Sequence, residues 1–404
     1  MTRNGRGCFG SWLKTTPSRF EPWRGGVAVI FARELSVRDY RNFASYTLEL
    51  AEGVTILVGR NAVGKTNLVE ALQLLTSGAS FRRPAPAELV AEGETSCKLA
   101  LRLEGEGRVI DLGCAVREGK RSFSRNGKKC RAAGVRGVVP SVLFCPDDLD
   151  MIKRSARVRR SALDGFGVQL NEQYAQLLGA YERLVEQRNA LLKERWCTRE
   201  MLAAWNDSLA QTGASLLVHR VALLARVRER FVEAYGRIAP GERVDISYES
   251  TVAPAAPGAP GGAAAPAPNL SRAEQAAAWK AAFLAALDAS FEDELRRGIT
   301  LVGPHRDEIR FSIDGRDART FASQGQQRSL VLAWKVAEVA VTRDILGHPP
   351  LLLLDDVMSE LDAERREAFM HGIEDEVQTV ITTTNLGYFS DAILNRAKVV
   401  PIGG

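Results

Sequence analysis

The sequence predicts an α/β fold built on a phosphate-binding loop, with a helical lobe inserted into it. Three stretches carry that expectation. "GRNAVGKT", Gly59 to Thr66, follows the strand-like run "VTILVG" and leads into "NLVEALQLLTSG", whose apolar spacing is helical and which stops at Gly78. "LLLLDD", Leu351 to Asp356, is apolar on both faces and ends in two acids, as a buried parallel strand does at its carboxyl end. Between them, from about Ser155 to Tyr235, glycine is scarce and Leu170, Tyr174, Leu177, Tyr181, Leu184 and Leu191 fall near the a and d places of a heptad. That pattern lasts about three heptads, which predicts paired helices in an arm of roughly 40 Å at 1.5 Å per residue.

Residues 1–26 are rich in Arg and Lys and poor in apolar pattern, and read as a basic disordered extension. Strands are predicted at "VAVIFAREL", "SYTLEL" and "VTILVG". A hairpin is predicted from Cys97 to Val116 around "EGEG", and a short buried strand within "VVPSVLFCPDDLD". Residues 27–150 thus form the first half of the α/β unit and 151–298 the helical lobe. Within the lobe, Ala253 to Pro268 contains only Ala, Pro and Gly and has nothing bulky to bury. Residues 299–404 return to α/β rhythm: a hairpin turning at Asp314-Gly315, a helix after Gln324, the strand "PLLLLDD", a helix from about Asp362, the strand "VQTVITTT" and a last strand near "AKVVPI".

With 45% hydrophobic and 25% charged residues the chain can bury a large core, and its net charge of +5 permits a nucleic-acid partner without identifying one. The six cysteines are dispersed, with no metal-ligand spacing, and no apolar run approaches a membrane span of about 18 residues. A cytoplasmic protein that does not enter a membrane is expected.

The G-x-x-x-x-G-K-T pattern is complete at Gly59, Gly64, Lys65 and Thr66. Gly59 permits the sharp turn, and the backbone from Arg60 through Asn61, Ala62, Val63 and Gly64 presents amides to phosphate oxygens. Lys65 reaches the terminal phosphates of ATP, and Thr66 ligates Mg²⁺. Asp355 would hold the same Mg²⁺ through its water shell, and Asp356 would orient or deprotonate an attacking water. A pair of acids after a strand can also be an ordinary solvated turn; the complete phosphate loop upstream favours the catalytic reading.

A second polar helix start lies at "FASQGQQRSL", Phe321 to Leu330, where Ser323 precedes the helix and Gly325 and Gln326 lie in its first turn. It can be a capped helix and nothing more, or an anion-binding one. Placed just before the Asp355 strand, "SQGQQR" resembles the signature of ABC-type ATPases, which in that class binds the γ-phosphate of ATP held by the other protomer. One nucleotide would then lie between two copies of the chain.

The resemblance extends to the RecF family of bacterial recombinational-repair proteins. It rests on "YRNF" (Tyr40–Phe43), "GKTNLVEAL", "SFR" (Ser80–Arg82), "LFCPDDL", "RRSALD" (Arg159–Asp164), "QRNALL" (Gln187–Leu192), "GPHRDE" (Gly303–Glu308), "SQGQQRSLVLAWKVAE", "LLLLDDVMSELD" and "ITTT" (Ile381–Thr384), in this order. It implies a P-loop ATPase head of ABC/SMC type with a mixed β-sheet and a short helical lobe. It also implies ATP-dependent homodimerisation and weak DNA-dependent ATP hydrolysis. Binding is expected to gapped or single-strand/duplex junction DNA, together with RecO and RecR, which load RecA. Thr383 is placed with the nucleotide-binding residues by the same resemblance. Ala62 stands where the family usually has glycine, and Arg154, Ser155 and Ala156 where it commonly reads "GSP".

The alternative is the ATPase subunit of an ABC transporter. Such a subunit normally supplies a glutamate where Asp356 stands and a histidine after the next strand, where this chain has Thr382 to Thr384. A metabolite kinase leaves the signature and "GPHRDE" unexplained, and an SMC motor needs longer arms. The basic cluster Lys153, Arg154, Arg157, Arg159 and Arg160 reads either as a grip on DNA phosphates or as the solvated face of a helix.

Overall fold

The computed structural model describes residues 30–403 apart from 106, 253–269 and 373–376. The basic extension and the Ala/Pro/Gly stretch lie outside the described residues. Strand β1 (Phe31–Tyr40) pairs with β2 (Phe43–Glu49), and β3 (Val54–Val58) runs into the phosphate loop and helix α1 (Lys65–Ser77), which ends at the left-handed Gly78. Two hairpins follow, β4 (Ser96–Gly105) with β5 (Arg108–Arg117) and β6 (Lys120–Arg125) with β7 (Lys128–Cys130), then β8 (Ser141–Phe144). Helices α2 (Ala156–Leu170), α3 (Glu172–Leu192) and α4 (Arg199–Ile238) precede β9 (Val244–Glu249) and α5 (Arg272–Arg297). Next come β10 (Glu308–Ile313), β11 (Arg316–Asp317), α6 (Ala318–Phe321) and α7 (Gln324–Leu346). β12 (Leu351–Asp355), α8 (Ala363–Gly372), β13 (Thr379–Thr383), α9 (Asp391–Leu394) and β14 (Lys398–Pro401) follow.

Parallel and antiparallel pairing are both present, in separate sheets. An all-antiparallel sheet runs β2-β1-β4-β5-β6-β7, an all-parallel one β14-β3-β13-β12-β8, and a small antiparallel one β11-β10-β9. The parallel sheet is covered on both faces, so its strands are apolar throughout. Leu57, Leu143, Leu351, Leu353 and Val380 pack with α1 and the antiparallel sheet in one core. Ile56, Val142, Phe144, Leu352, Leu354 and Ile381 pack with α2, α4 and α7 in the other. The phosphate loop and both acids thus sit at the carboxyl edge of a sheet held rigid from both sides.

Two helical expectations change. Asn171 is extended (φ −148°), so Leu170 ends α2 and does not share a helix with Tyr174. The buried line of α3 is Tyr174, Tyr181, Val185, Arg188 and Leu192, with Leu177, Leu184 and Leu191 on its flanks. The reason is Arg188, fully buried and bonded to Glu294 on α5 (2.6 Å), Asn206 on α4 (2.7 Å) and Thr300 (2.9 Å): α3 faces two elements at once, which broadens the stripe beyond a two-helix seam. The longest helix is α4 with 40 residues, about 60 Å long, and it exceeds the expected arm. Its carboxyl half returns to the nucleotide-side layers, where Phe231 packs edge-on against Phe311 and Arg230 pairs with Asp344 of α7. Strand β9, which pairs with β10, has no counterpart in the sequence reading.

Candidate active site

Gly64 has φ +105°, and a Cβ there would come within 2.6 Å of Asn42 Nδ2; at Gly59 a Cβ would collide with the Ile402 carbonyl. Both positions of the motif therefore require glycine, one for conformation and one for space. Ala62 is also left-handed, at φ 65°, which strains a residue with a Cβ. Lys65 is buried at the start of α1. Its Nζ donates to the carbonyls of Gly59 and Arg60, both at 2.7 Å, which folds the ammonium back into the mouth of the loop. Burial lowers its pKa, opposed by the charges of Asp356 and Asp355.

Thr66 Oγ1 donates to Asp355 Oδ1 at 2.9 Å, and Thr382 Oγ1 donates to the same oxygen at 2.8 Å. The structure thus brings Thr66 and Asp355 together as a hydroxyl and carboxylate pair that can share a cation. Asp356 lies just past the strand at φ 54°, its amide held by Thr382 Oγ1 at 2.9 Å. Its Oδ1 is buried with no hydrogen-bond partner among the described residues. Burial raises the pKa of both acids: hydrogen bonds from Thr382 and Thr66 oppose this at Asp355, the charge of Lys65 at Asp356. An unsatisfied buried carboxylate oxygen facing a lysine and a carboxylate suits a hydrated Mg²⁺ or a water to be activated. In this donor set Thr66 and Asp355 would hold the ion, which would neutralise phosphate charge.

Sequence reasoning missed the frame around the loop. Glu70 of α1, fully buried, accepts from Tyr40 Oη (3.1 Å), from Arg41 Nε (3.1 Å) and Nη2 (2.9 Å), from Ser80 Oγ and from Arg82 Nη1 (3.4 Å). Asn42 Nδ2 donates to the Val63 carbonyl (3.0 Å) and Asn42 Oδ1 accepts from Asn67 (2.8 Å), which in turn accepts from Arg82 (2.7 Å). "YRNF" and "SFR" are therefore one brace on the phosphate loop. Both motifs are visible in the sequence, but nothing in their text points to Glu70 as the partner they share. Thr383, expected among the nucleotide-binding residues, is buried, and its hydroxyl is taken up by Asn385; the threonine that meets Asp355 is Thr382.

Ser323 is the exposed N-cap of α7, and with Gln326 it forms a reciprocal capping box (3.2 and 2.8 Å). Gln326 also donates to Glu242 (2.9 Å), and a Cβ on Gly325 would meet the tip of Arg365 at 2.9 Å. Among the described residues no hydrogen bond links Ser323, Gly325 or Gln326 to residues 59–66.

Other motifs clamp the helices. Arg159 is buried and bidentate to Glu308 (both 2.8 Å) while donating to three carbonyls, and Arg160 donates to the Asp307 carbonyl. Of the basic cluster these two are therefore turned inward, because "GPHRDE" supplies their acceptors. Lys153, Arg154 and Arg157 stay exposed. Asp164 of "RRSALD" pairs with buried Arg220 (2.8 Å), and Asp307 accepts from Tyr248, Ser250 and Thr251.

A phosphate loop, a two-acid strand end and a capped signature helix on these sheets define an ABC/SMC-type ATPase head. The family model described as the RecF/RecN/SMC N terminal domain matches residues 31–401. The DNA replication and repair protein RecF of Gloeobacter violaceus is 37% identical over 381 residues, covering 92% of this chain and 97% of that one. Its counterpart in Synechocystis sp. is 36% identical over 388 residues, covering 92% and 96%. The solved structure of the recombination mediator protein RecF-ATPrS in the RecFOR pathway has a TM-score of 0.79 at 28% identity, covering 89% of this chain and 94% of that one. An Smc head domain from Pyrococcus furiosus, at TM-score 0.53 and 14% identity over 92% and 93%, shares the fold. The chain belongs to the RecF family, which sets aside the transporter alternative. No helix among the described residues is long and apolar enough to cross a membrane.

Proposed function

We propose that this chain binds ATP and Mg²⁺ at the phosphate loop and dimerises around the nucleotide on gapped or junction DNA. Slow hydrolysis then releases it. In this reading it acts in recombinational repair with RecO and RecR to load RecA. Lys65 and the amides of residues 60–64 bind the phosphates, Thr66 and Asp355 hold the cation, and Asp356 accepts the proton of the attacking water. Ser323 and Gly325 address the nucleotide of the second copy. One observation carries this reading: the phosphate loop is fully framed within its own chain, whereas the exposed Ser323 end of α7 makes no hydrogen bond to that loop. The solved relative described as RecF-ATP supports the choice of nucleotide.

The test mixes two variants. Lys65→Ala should lose ATP affinity on the order of 100-fold, since charge-assisted hydrogen bonds contribute about 1.5–3 kcal/mol each. Ser323→Arg should bind ATP like the parent but fail to dimerise. Mixed together they create one composite site with an intact loop and an intact signature, so ATP-dependent pairing and ATPase rate should exceed the sum of the two measured alone. Full dimerisation by Ser323→Arg alone would reduce "FASQGQQRSL" to a capped helix.

A further inference from the structure

The open face of the six-stranded antiparallel sheet is basic at one end and carries acids at the other. Its strand register places the outward side chains in rows. One row reads Ser45, Arg38, Lys98, Ala115 and Ser122 across β2, β1, β4, β5 and β6. Beyond it, at the end where the β1–β2 turn carries Asn42 to the phosphate loop, Arg117 of β5 lies opposite Lys120 of β6. On the other side comes a row of small residues, Thr47, Ser36, Ala100, Gly113 and Ser124, and then Glu49, Glu34, Arg102 and Asp111, where Arg102 is paired with Asp111 at 3.3 Å.

Two cross-strand pairs at the basic end are thus like-charged, Arg38 with Lys98 and Arg117 with Lys120. All four residues are exposed, and none has an ion-pair partner within 4 Å among the described residues. Directly opposed like charges destabilise a sheet by a few tenths to about 1 kcal/mol each. Protection of a sheet edge accounts for Lys120 alone, because β7 pairs only with residues 123–125 of β6, whereas Arg38, Lys98 and Arg117 lie on the interior strands β1, β4 and β5. A bound polyanion accounts for all four, by converting the repulsion into attraction.

We infer that Arg38, Lys98, Arg117 and Lys120 form a contact surface for the sugar-phosphate backbone of duplex DNA. The inference rests on the DNA-binding reading above and names where on the chain the duplex lies. The four cations cross four strands, about 14 Å at ~4.8 Å per strand. That distance covers about four base-pair steps of duplex axis at 3.4 Å each, within which phosphates of the backbone come to face the sheet. The neighbouring row has no side chain larger than threonine, so a backbone can approach closely, and the acids of the far row fix which end it occupies. No aromatic side chain belongs to these rows, so the surface lacks the stacking platform that single strands use.

The test measures binding of a labelled duplex, and of a single strand of equal length, to the full chain with ATP across a range of salt. The quadruple variant Arg38→Gln, Lys98→Gln, Arg117→Gln and Lys120→Gln should bind the duplex on the order of tenfold more weakly. Its salt slope should flatten by about 3–4, at ~0.9 for each phosphate that is no longer neutralised. Its melting temperature should not fall, since two repulsive pairs are gone. A charge-matched variant neutralised at the exposed Arg237, Arg243, Arg296 and Arg297 should keep the parental slope. Equal flattening in both variants, or none in the first while the parent binds duplex, overturns the assigned surface. An equal loss on duplex and single strand overturns the choice of duplex. A parent chain that binds neither DNA overturns the DNA reading itself, and the inference with it.

Discussion

Around the phosphate loop four side chains, Tyr40, Arg41, Ser80 and Arg82, converge on the one buried carboxylate of Glu70, and Asn42 and Asn67 tie that brace to the loop itself. At the start of α7 the polar groups turn on each other: Ser323 and Gln326 cap one another, and a single further bond reaches Glu242. Both regions are helix starts with free backbone amides, yet one is anchored by buried charge and the other stands exposed on a simple cap. In the proposed reading, the difference separates a site completed within the chain from one that a second copy completes.

The largest effect should come from the unpartnered carboxylate of Asp356, just past β12. Asp356→Asn should retain ATP and slow its hydrolysis by about 10²–10⁴-fold, because the amide cannot accept the water's proton. Without nucleotide the same variant should be more stable by a few tenths of a kcal/mol at pH 8, roughly the charge penalty left after solvent screening, since it removes the charge from a half-buried carboxylate whose Oδ1 has no partner. The sign follows from linkage. A carboxyl whose folded pKa is raised favours the fold below its ordinary pKa and loses that contribution as pH rises through the folded value. The gain of Asp356→Asn, followed by thermal melts, should therefore vanish towards acid pH; a gain that persists there contradicts the raised pKa.

Paired substitutions test the contrast between the two regions. Glu70→Ala should cost about 3 kcal/mol in denaturant unfolding, because Arg41 loses its carboxylate in a partly buried place. Gly325→Ala should cost under about 0.5 kcal/mol, since the atom it meets is the flexible end of Arg365, while it obstructs pairing of two copies. Comparable losses of stability would erase the distinction between framed and open regions. The smallest effect concerns the loop's departure from the family pattern. Ala62→Gly should relieve the left-handed strain and raise stability by about 0.5–1 kcal/mol, read from the same unfolding curves.

Chain-local chemistry is legible in the sequence. The phosphate loop, the Asp355 strand and the capped start of α7 each consist of neighbours along the chain, and period, glycine position and capping residues fix such features without help from the rest of the molecule. Arg159 and Arg160 show the opposite case. As text they belong to a basic cluster, but their direction depends on acceptors at Asp307 and Glu308, almost 150 positions away, that only folding brings near.

What the sequence by itself determined is the phosphate-loop pattern, the acid-ended strand and the capped helix start, with the element that carries each, because a periodic pattern and a turn residue act over a few positions. The tertiary structure alone decided that Thr382 meets Asp355, that Glu70 gathers two separate motifs, that Arg188 widens the buried stripe of α3, and that two like-charged pairs lie in adjacent rows across four strands. Each of those depends on register and on packing between distant segments, where a shift of one residue turns a side chain to the other face.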